Sequence, residues 1–398
     1  MTFMANKTNK SAAPKKVNFS WNDPAVRSII YQVLILGIVG LGVWYLVSNT
    51  LHNLAVRNIT TGFSFLHREA GFAIGESPIE YQPADTYGRA IWVGILNTLK
   101  VSVIGIIAAT FFGTLLGIAR LSKNWLLVRV ATTYIEVMRN IPLLLQLFFW
   151  YAIITESMPG PRDAYHPMKG VFISNRGLKL PSIQGDALDW IVAGLGLAIV
   201  AILLLGHWAK KRQDATGNIF PLGRVAVVLL LLFPVLGWLF SGGSLVLELP
   251  ELKGFNFVGG LNLSPEFAAL LLGLIVYTAA FVAEVVRSGI QSVGQGQWEA
   301  GEAIGLSRAR MLRLVILPQA LRVIIPPMTS QYLNLTKNSS LAVAIGYPDI
   351  VSVVNTTLNQ TGQAIEGILI IMAAYLTVSL SISIFMNWYN KRIALVER

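Results

Sequence analysis

An all-α polytopic membrane protein with about eight transmembrane helices is the fold class this sequence predicts, on three observations. Hydrophobic residues fill 54% of the 398 positions and charged residues only 13%, giving a mean hydropathy of +0.60, whereas a soluble domain carries about 25% charge. The apolar residues gather into runs that approach or exceed the length needed to cross a bilayer, about 20 residues. Finally, most Lys and Arg residues fall between alternate runs, as they do in chains threaded through a membrane.

The runs follow one another through the chain. The first, 28–51, is free of charge, and so are 101–119, 190–209 and 225–247. Further runs cover 267–283, 323–336 (extended by 341–347) and 367–390. An eighth candidate, third in chain order, is 141–154 with an amphipathic approach from Tyr134; its apolar core is short. The first run follows Lys7, Lys10, Lys15 and Lys16, but it is too long for a secretion signal and no small-x-small cleavage site follows, so it reads as an anchor.

Charge orients these crossings. With the N-terminus inside and eight spans, the cytoplasmic segments hold twenty basic residues and the external loops eight: Arg57, Arg68, Arg89, Arg162, Lys169, Arg176, Lys179 and Lys253. Because Lys and Arg are retained on the cytoplasmic side, both termini are expected there. Residues 1–27 then form a cytoplasmic tail, 28–51 an extra N-terminal helix and 52–89 a periplasmic loop. A first core part spans 90–155, an insertion with two spans 156–264, a second core part 265–392, and a short tail 393–398. The stretch 156–187 reads as an irregular external loop rich in Gly, Pro and Ser.

Several chemistries are excluded. Cysteine is absent, which removes disulfides and thiolate chemistry. His52, His67, His166 and His207 lack the spacing that would bring two imidazoles onto one metal. The net charge of +11 is dispersed among apolar runs instead of forming one basic face, so no nucleic acid is expected. No Gly-x4-Gly-Lys-Ser/Thr phosphate loop occurs, and neither a nucleophile elbow nor a His-Glu-x-x-His helix is present.

The segment richest in information runs from Gly294 to Pro318. Gly294 and Gly296 lead out of the sixth span, and 298–306 is expected to form a short helix. Gly305 tolerates the left-handed conformation past its last turn, and Ser307 is placed to cap the next helix. Glu299, Glu302 and Ala303 would stand beside the almost side-chain-free Gly301 and Gly305, where small residues admit a partner closely and a carboxylate fixes its orientation. The plain alternative is a Gly/Ala-rich connection that only joins two helices.

Here the sequence resembles the permease subunits of ATP-binding-cassette (ABC) importers, whose signature is Glu-Ala-Ala, three residues, Gly, then about ten residues to Ile-x-Leu-Pro. In this chain it reads Glu299-Ala300-Gly301, Gly305 and Val315-Ile316-Leu317-Pro318. Gly301 replaces the second alanine and lowers helix propensity by up to about 1 kcal/mol. Arg139-Asn-Ile-Pro-Leu-Leu-Leu-Gln146, Leu317-Pro-Gln-Ala-Leu-Arg-Val323, Lys337-Asn-Ser-Ser-Leu341 and Ile345-Gly-Tyr-Pro348 are similar to the polar amino-acid branch. The extra first helix and the insertion resemble the longer permease of general L-amino-acid import systems.

That resemblance implies a type I ABC importer permease fold with a cytoplasmic coupling helix formed around Glu299, Ala300, Gly301, Glu302, Ala303 and Gly305. It also implies two copies of an ABC ATPase subunit, a second and related permease, a periplasmic amino-acid-binding protein, and a lipid bilayer around the spans. The chain itself would bind no cofactor, with ATP and Mg held by the ATPase, and would be a pore subunit instead of an enzyme. An ion-coupled secondary amino-acid transporter is the alternative; it would want carboxylates deep in the membrane, and only Glu136 and Glu284 lie near spans.

Asn334-Leu-Thr-Lys-Asn-Ser-Ser340 interrupts the seventh span with polar groups. Such residues face a bundle interior or an aqueous path, so Lys337, Asn338, Ser339 and Ser340 are candidates for the substrate path. Their other reading is hydrogen bonding between helices. Glu284 with Arg287, and Glu136 with Arg139, stand three residues apart and can pair as inner gates or, more commonly, as anchors of helix ends. Gly113-Thr-Leu-Leu-Gly117 offers a small-xxx-small packing face, and Pro326-Pro327 marks a kink.

Overall fold

The computed structural model describes residues 24–56, 61–184, 187–218, 220–242, 246–254 and 256–393. The basic residues Lys7, Lys10, Lys15 and Lys16 lie outside them, as does the tail from residue 394. Two units are present. The first, ending at Phe63, holds helix α1 (Pro24–Val56). Its 33 residues reach about 50 Å at 1.5 Å per residue, longer than a hydrocarbon core of about 30 Å.

The second unit begins at Ser64. Helix α2 (Tyr87–Arg120) opens at Thr86, whose hydroxyl accepts from the Arg89 amide, and starts well before the apolar run at 101. It passes Asn97 and Lys100 because both have partners: the Asn97 amide donates to the carbonyls of Glu76 (2.8 Å) and Pro348 (2.9 Å), and Lys100 meets the Glu76 carboxylate at 2.5 Å.

Helices α3 (Trp125–Asn140) and α4 (Leu143–Ala152), the latter prolonged by a π turn Ile153–Ser157, meet at 104°. The expected single span with its approach from Tyr134 is therefore a bent pair. Pro142 has no N–H to continue the helix, and it drives Ile141 into extended backbone (φ −93°, ψ 126°). Buried Gln146 stitches the bend, donating to the carbonyls of Met138 (2.9 Å) and Ile141 (3.0 Å).

Helices α5 (Ala187–Thr216) and α6 (Leu222–Phe240) form a hairpin packed at Gly194 and Gly237. The fifth span stops at Phe240, short of the expected residue 247, because Ser241 and Gly242 lead the chain out and Val246–Glu248 becomes strand β5. The stretch expected as irregular loop also holds strands. β1 (Tyr165–Met168), β2 (Val171–Ser174), β3 (Gly177–Leu180) and β8 (Leu261–Leu263) make an antiparallel sheet in that order, and β4 (Ser182–Gln184) pairs with β5. Asn175-Arg176 is the two-residue turn between paired Ser174 and Gly177, and Val-Phe-Ile-Ser supplies the strand propensity. β6 (Glu251–Lys253) and β7 (Asn256–Val258) form a further pair.

Helices α7 (Pro265–Gln291), α8 (Gln295–Ala303) and α9 (Arg308–Met311) follow, then a π turn Leu312–Ile316 and α10 (Leu317–Asn338). The π turn precedes Pro318, which cannot donate to the turn before it. α10 runs through Pro326-Pro327 without interruption and tightens into a 3-10 turn over Ser339–Ile345. A short helix α11 (Ile350–Thr361), capped by Asp349, and a long α12 (Ala364–Ile393) complete the chain.

Mostly helical architecture with seven apolar helices able to cross a membrane, or eight if the bent pair is one span, is thus present among the described residues. Helix α2 packs tightly on α7. A Cβ on Gly113 would lie 2.8 Å from the Ala279 carbonyl, and one on Gly117 would lie 2.7 Å from that of Ala283, so only glycine permits this approach. One apolar cluster centres on Tyr347, Phe267 and Leu270, and a second on Val286, Met311, Ile316 and Ile324.

Candidate coupling surface and transport path

α8 is a nine-residue helix made rigid at its end and along one side. Gly305 adopts φ +72°, so the Gly305 amide donates to the Glu302 carbonyl (2.9 Å) and the Leu306 amide to that of Gly301 (3.1 Å), the double closure of a Schellman motif. Ser307 takes the extended N-cap conformation before α9 but makes no side-chain cap hydrogen bond. On the inner side Trp298 joins the cluster of Val293, Met311 and Ile316, and the Gln319 amide reaches Gln297 at 3.1 Å.

The opposite side is open. Glu299, Ala300, Glu302, Ala303 and Gly305 are exposed, and Ile304 is 74% exposed. Gly301, expected beside them, is buried and faces Met311. Its missing side chain makes room for Met311, which gives the departure from Glu-Ala-Ala a packing reason. The helix spans Gln295–Ala303 instead of 298–306, since Gly294 is already extended (ψ 142°) and α8 begins there.

At the same end of the helices a charge network ties three elements together. Arg120, at the last turn of α2, pairs with Glu284 of α7 and lies 4.0 Å from Glu136 of α3; Glu284 also pairs with Arg287. Of the two expected local pairs, Glu284–Arg287 forms. Glu136 turns to Arg120 instead, and Arg139 lies over the Phe281 ring at 5.2 Å. Nothing local in the sequence joins Arg120 to Glu284, 164 residues away.

The polar run on α10 falls where the helix becomes 3-10. Lys337 is exposed, while Asn338 and Ser340 are half-buried. Ser339 is fully buried and donates to the Thr336 carbonyl at 2.7 Å. The Ser340 hydroxyl donates to the Lys337 carbonyl at 2.7 Å. The sequence reading missed Glu76, Asp349 and Tyr375. Glu76 joins Lys100 to the Ser264 hydroxyl, which donates to it at 2.5 Å. Asp349 accepts the Ser352 amide at 2.9 Å with the Tyr375 hydroxyl at 3.5 Å, and burial pushes its carboxyl up to about 7.

Comparison with known proteins adds to this geometry. Residues 218–395 match the family described as the inner membrane component of binding-protein-dependent transport systems. The chain is 52% identical over 387 residues to YhdX of Escherichia coli, covering 96% of this chain and 98% of that one. It is 49% identical over 378 residues to AapQ, a general L-amino acid transport system permease protein of Rhizobium johnstonii, with 94% of each covered. BztB, a glutamate/glutamine/aspartate/asparagine transport system permease protein of Rhodobacter capsulatus, is 42% identical over 412 residues, with 94% of this chain and 96% of that one covered.

Proposed function

The chain belongs to the amino-acid ABC transporter permeases, multi-pass inner-membrane pore subunits that work with ATPase and binding-protein partners, and on that premise we propose how its residues carry out the transport. The exposed side of α8 is the coupling surface, with Glu299 and Glu302 orienting the ATPase and Ala300, Ala303 and Gly305 admitting it closely. Two ATPase copies supply ATP and Mg chemistry, and this chain binds neither cofactor. A second, related permease completes the pore, and a periplasmic protein delivers the cargo. Both termini and α8 lie on the cytoplasmic side, as the distribution of Lys and Arg favours. The cargo is one or more L-amino acids, as the names of AapQ and BztB suggest. Lys337, Asn338 and Ser340 line its way, where the broken end of α10 exposes polar groups. An ion-coupled carrier finds no support among the relatives.

The observation that carries this reading is α8 itself: one side pinned by Trp298 and Gly301 against Met311, the other open and carrying the family's Glu-Ala signature. A rigid lever transmits displacement, whereas a loose connection absorbs it. Closure of the ATPase pair around ATP then moves α8 with α9 and α10 and biases the pore between outward and inward access. Glu299→Lys tests it. Membrane insertion should persist while copurifying ATPase and ATP-driven uptake are lost; uptake at the unmodified level would remove the coupling assignment.

A further inference from the structure

Beside α8 the chain forms a cavity of about 1190 Å³ between the α2–α3 turn and the π turn after α9. Its walls are mainly apolar, with Ile118, Ile290, Leu312 and Ile316 among them, and three cations, Lys123, Arg308 and Arg313, stand in its lining. No carboxylate lines it. The three cations are exposed, and among the described residues none has an ion-pair partner. Glu302 lines a smaller neighbouring cavity of about 240 Å³, which Lys123 and Arg308 also border.

We propose that this cavity is a binding site for an anionic phospholipid. Helices α2 and α7 end at Arg120 and Gln291, beside the cavity; on the function proposed above these ends are the cytoplasmic limits of two spans, where headgroups and the first acyl methylenes lie. An apolar hollow rimmed by unpaired cations complements a diester phosphate joined to hydrocarbon. A free phosphate would leave the apolar wall unmatched, and a zwitterionic headgroup would bring its own ammonium in among the three cations, where an anionic one brings negative charge alone. The site touches Trp298 of α8 and Leu317 at the start of α10, so a bound lipid braces the elements that move with the ATPase.

The test uses the intact transporter with its ATPase, stripped of lipid and re-equilibrated with micelles containing phosphatidylglycerol or phosphatidylcholine, with retained lipid counted by native mass spectrometry. The unmodified complex should retain at least about tenfold more phosphatidylglycerol, since each cation near an anionic headgroup adds attraction. The combined variant Lys123→Gln, Arg308→Gln and Arg313→Gln should lose that preference. Ala309→Trp, which fills the hollow with all three cations kept, should lower phosphatidylglycerol retention and decides the matter should the triple variant fail to fold. Equal retention by the unmodified and triple-variant complexes, or no effect of Ala309→Trp, would overturn the proposal. So would displacement of the lipid by equimolar inorganic phosphate, which marks a phosphate site. Loss of ATPase from the triple variant with the lipid preference intact would instead give the cations to the protein partner.

Discussion

A Cβ placed on Gly301 would lie 2.7 Å from the sulfur of Met311, so α8 is seated on α9 through the one position where the chain departs from the family's alanine. The obstructing atom is the flexible far part of a methionine. Gly301→Ala should therefore be tolerated, its gain in helix propensity of up to about 1 kcal/mol offsetting a small repacking cost. Gly301→Leu cannot be accommodated and should uncouple ATPase turnover from uptake. On α2 the contrast is sharp, because the neighbours of Gly113 and Gly117 include backbone carbonyls. There even Ala should lower stability by about 1–3 kcal/mol, read as thermal unfolding of the purified complex.

Arg120 and Glu284 join α2 to α7, and both are partly buried, with 19% and 26% of their side chains exposed. Arg120→Gln leaves Glu284 held by Arg287 alone, so it should cost about 1.5 kcal/mol, the low end of the range for hydrogen bonds to charged groups. A double-mutant cycle with Glu284→Gln should return a coupling energy of about 1 kcal/mol or more. An anchor changes unfolding alone, while a gate also changes uptake in the stable background; the anchor outcome is expected.

Ser339 and Lys337 sit two residues apart with opposite surroundings. Ser339→Ala should lower stability by about 1 kcal/mol, the net worth of one hydrogen bond, and leave the order of cargo preference unchanged. Lys337→Gln removes an exposed cation, and it should alter the relative uptake of acidic and neutral amino acids in proteoliposomes.

Asp349 lies in the connection between the seventh span and α11, where burial raises its carboxyl from the ordinary 3.8 to about 7. Because the folded value exceeds the unfolded one, the protein holds this proton longer than the unfolded chain does. The associated stability is complete below about pH 4 and is lost as pH rises through 7, with a slope of up to about 1.4 kcal/mol per pH unit. Asp349→Asn keeps an acceptor for the Ser352 amide and removes the titrating group, so thermal unfolding in detergent should become flatter over that window.

Sequence by itself determined the class of this protein. Membrane spans are legible because hydrocarbon demands long uncharged runs, and the α8 region is legible because Gly294, Glu299, Gly305 and Pro318 act through local backbone rules. The same locality explains the limits. Pro142 lacks the N–H a continuous helix needs, but that α3 and α4 meet at 104° is settled with Gln146 reaching back across the break. The strands at 165–180 were too short for any window and exist through their pairing, including that of β3 with Leu261–Leu263. Only the tertiary structure turned Gly301 inward, buried Ser339, and brought Arg120 to Glu284 and Glu76 to Lys100. Those outcomes follow from which helices lie side by side, and close packing and charge pairing act between residues far apart in the chain, where no sequence window reaches.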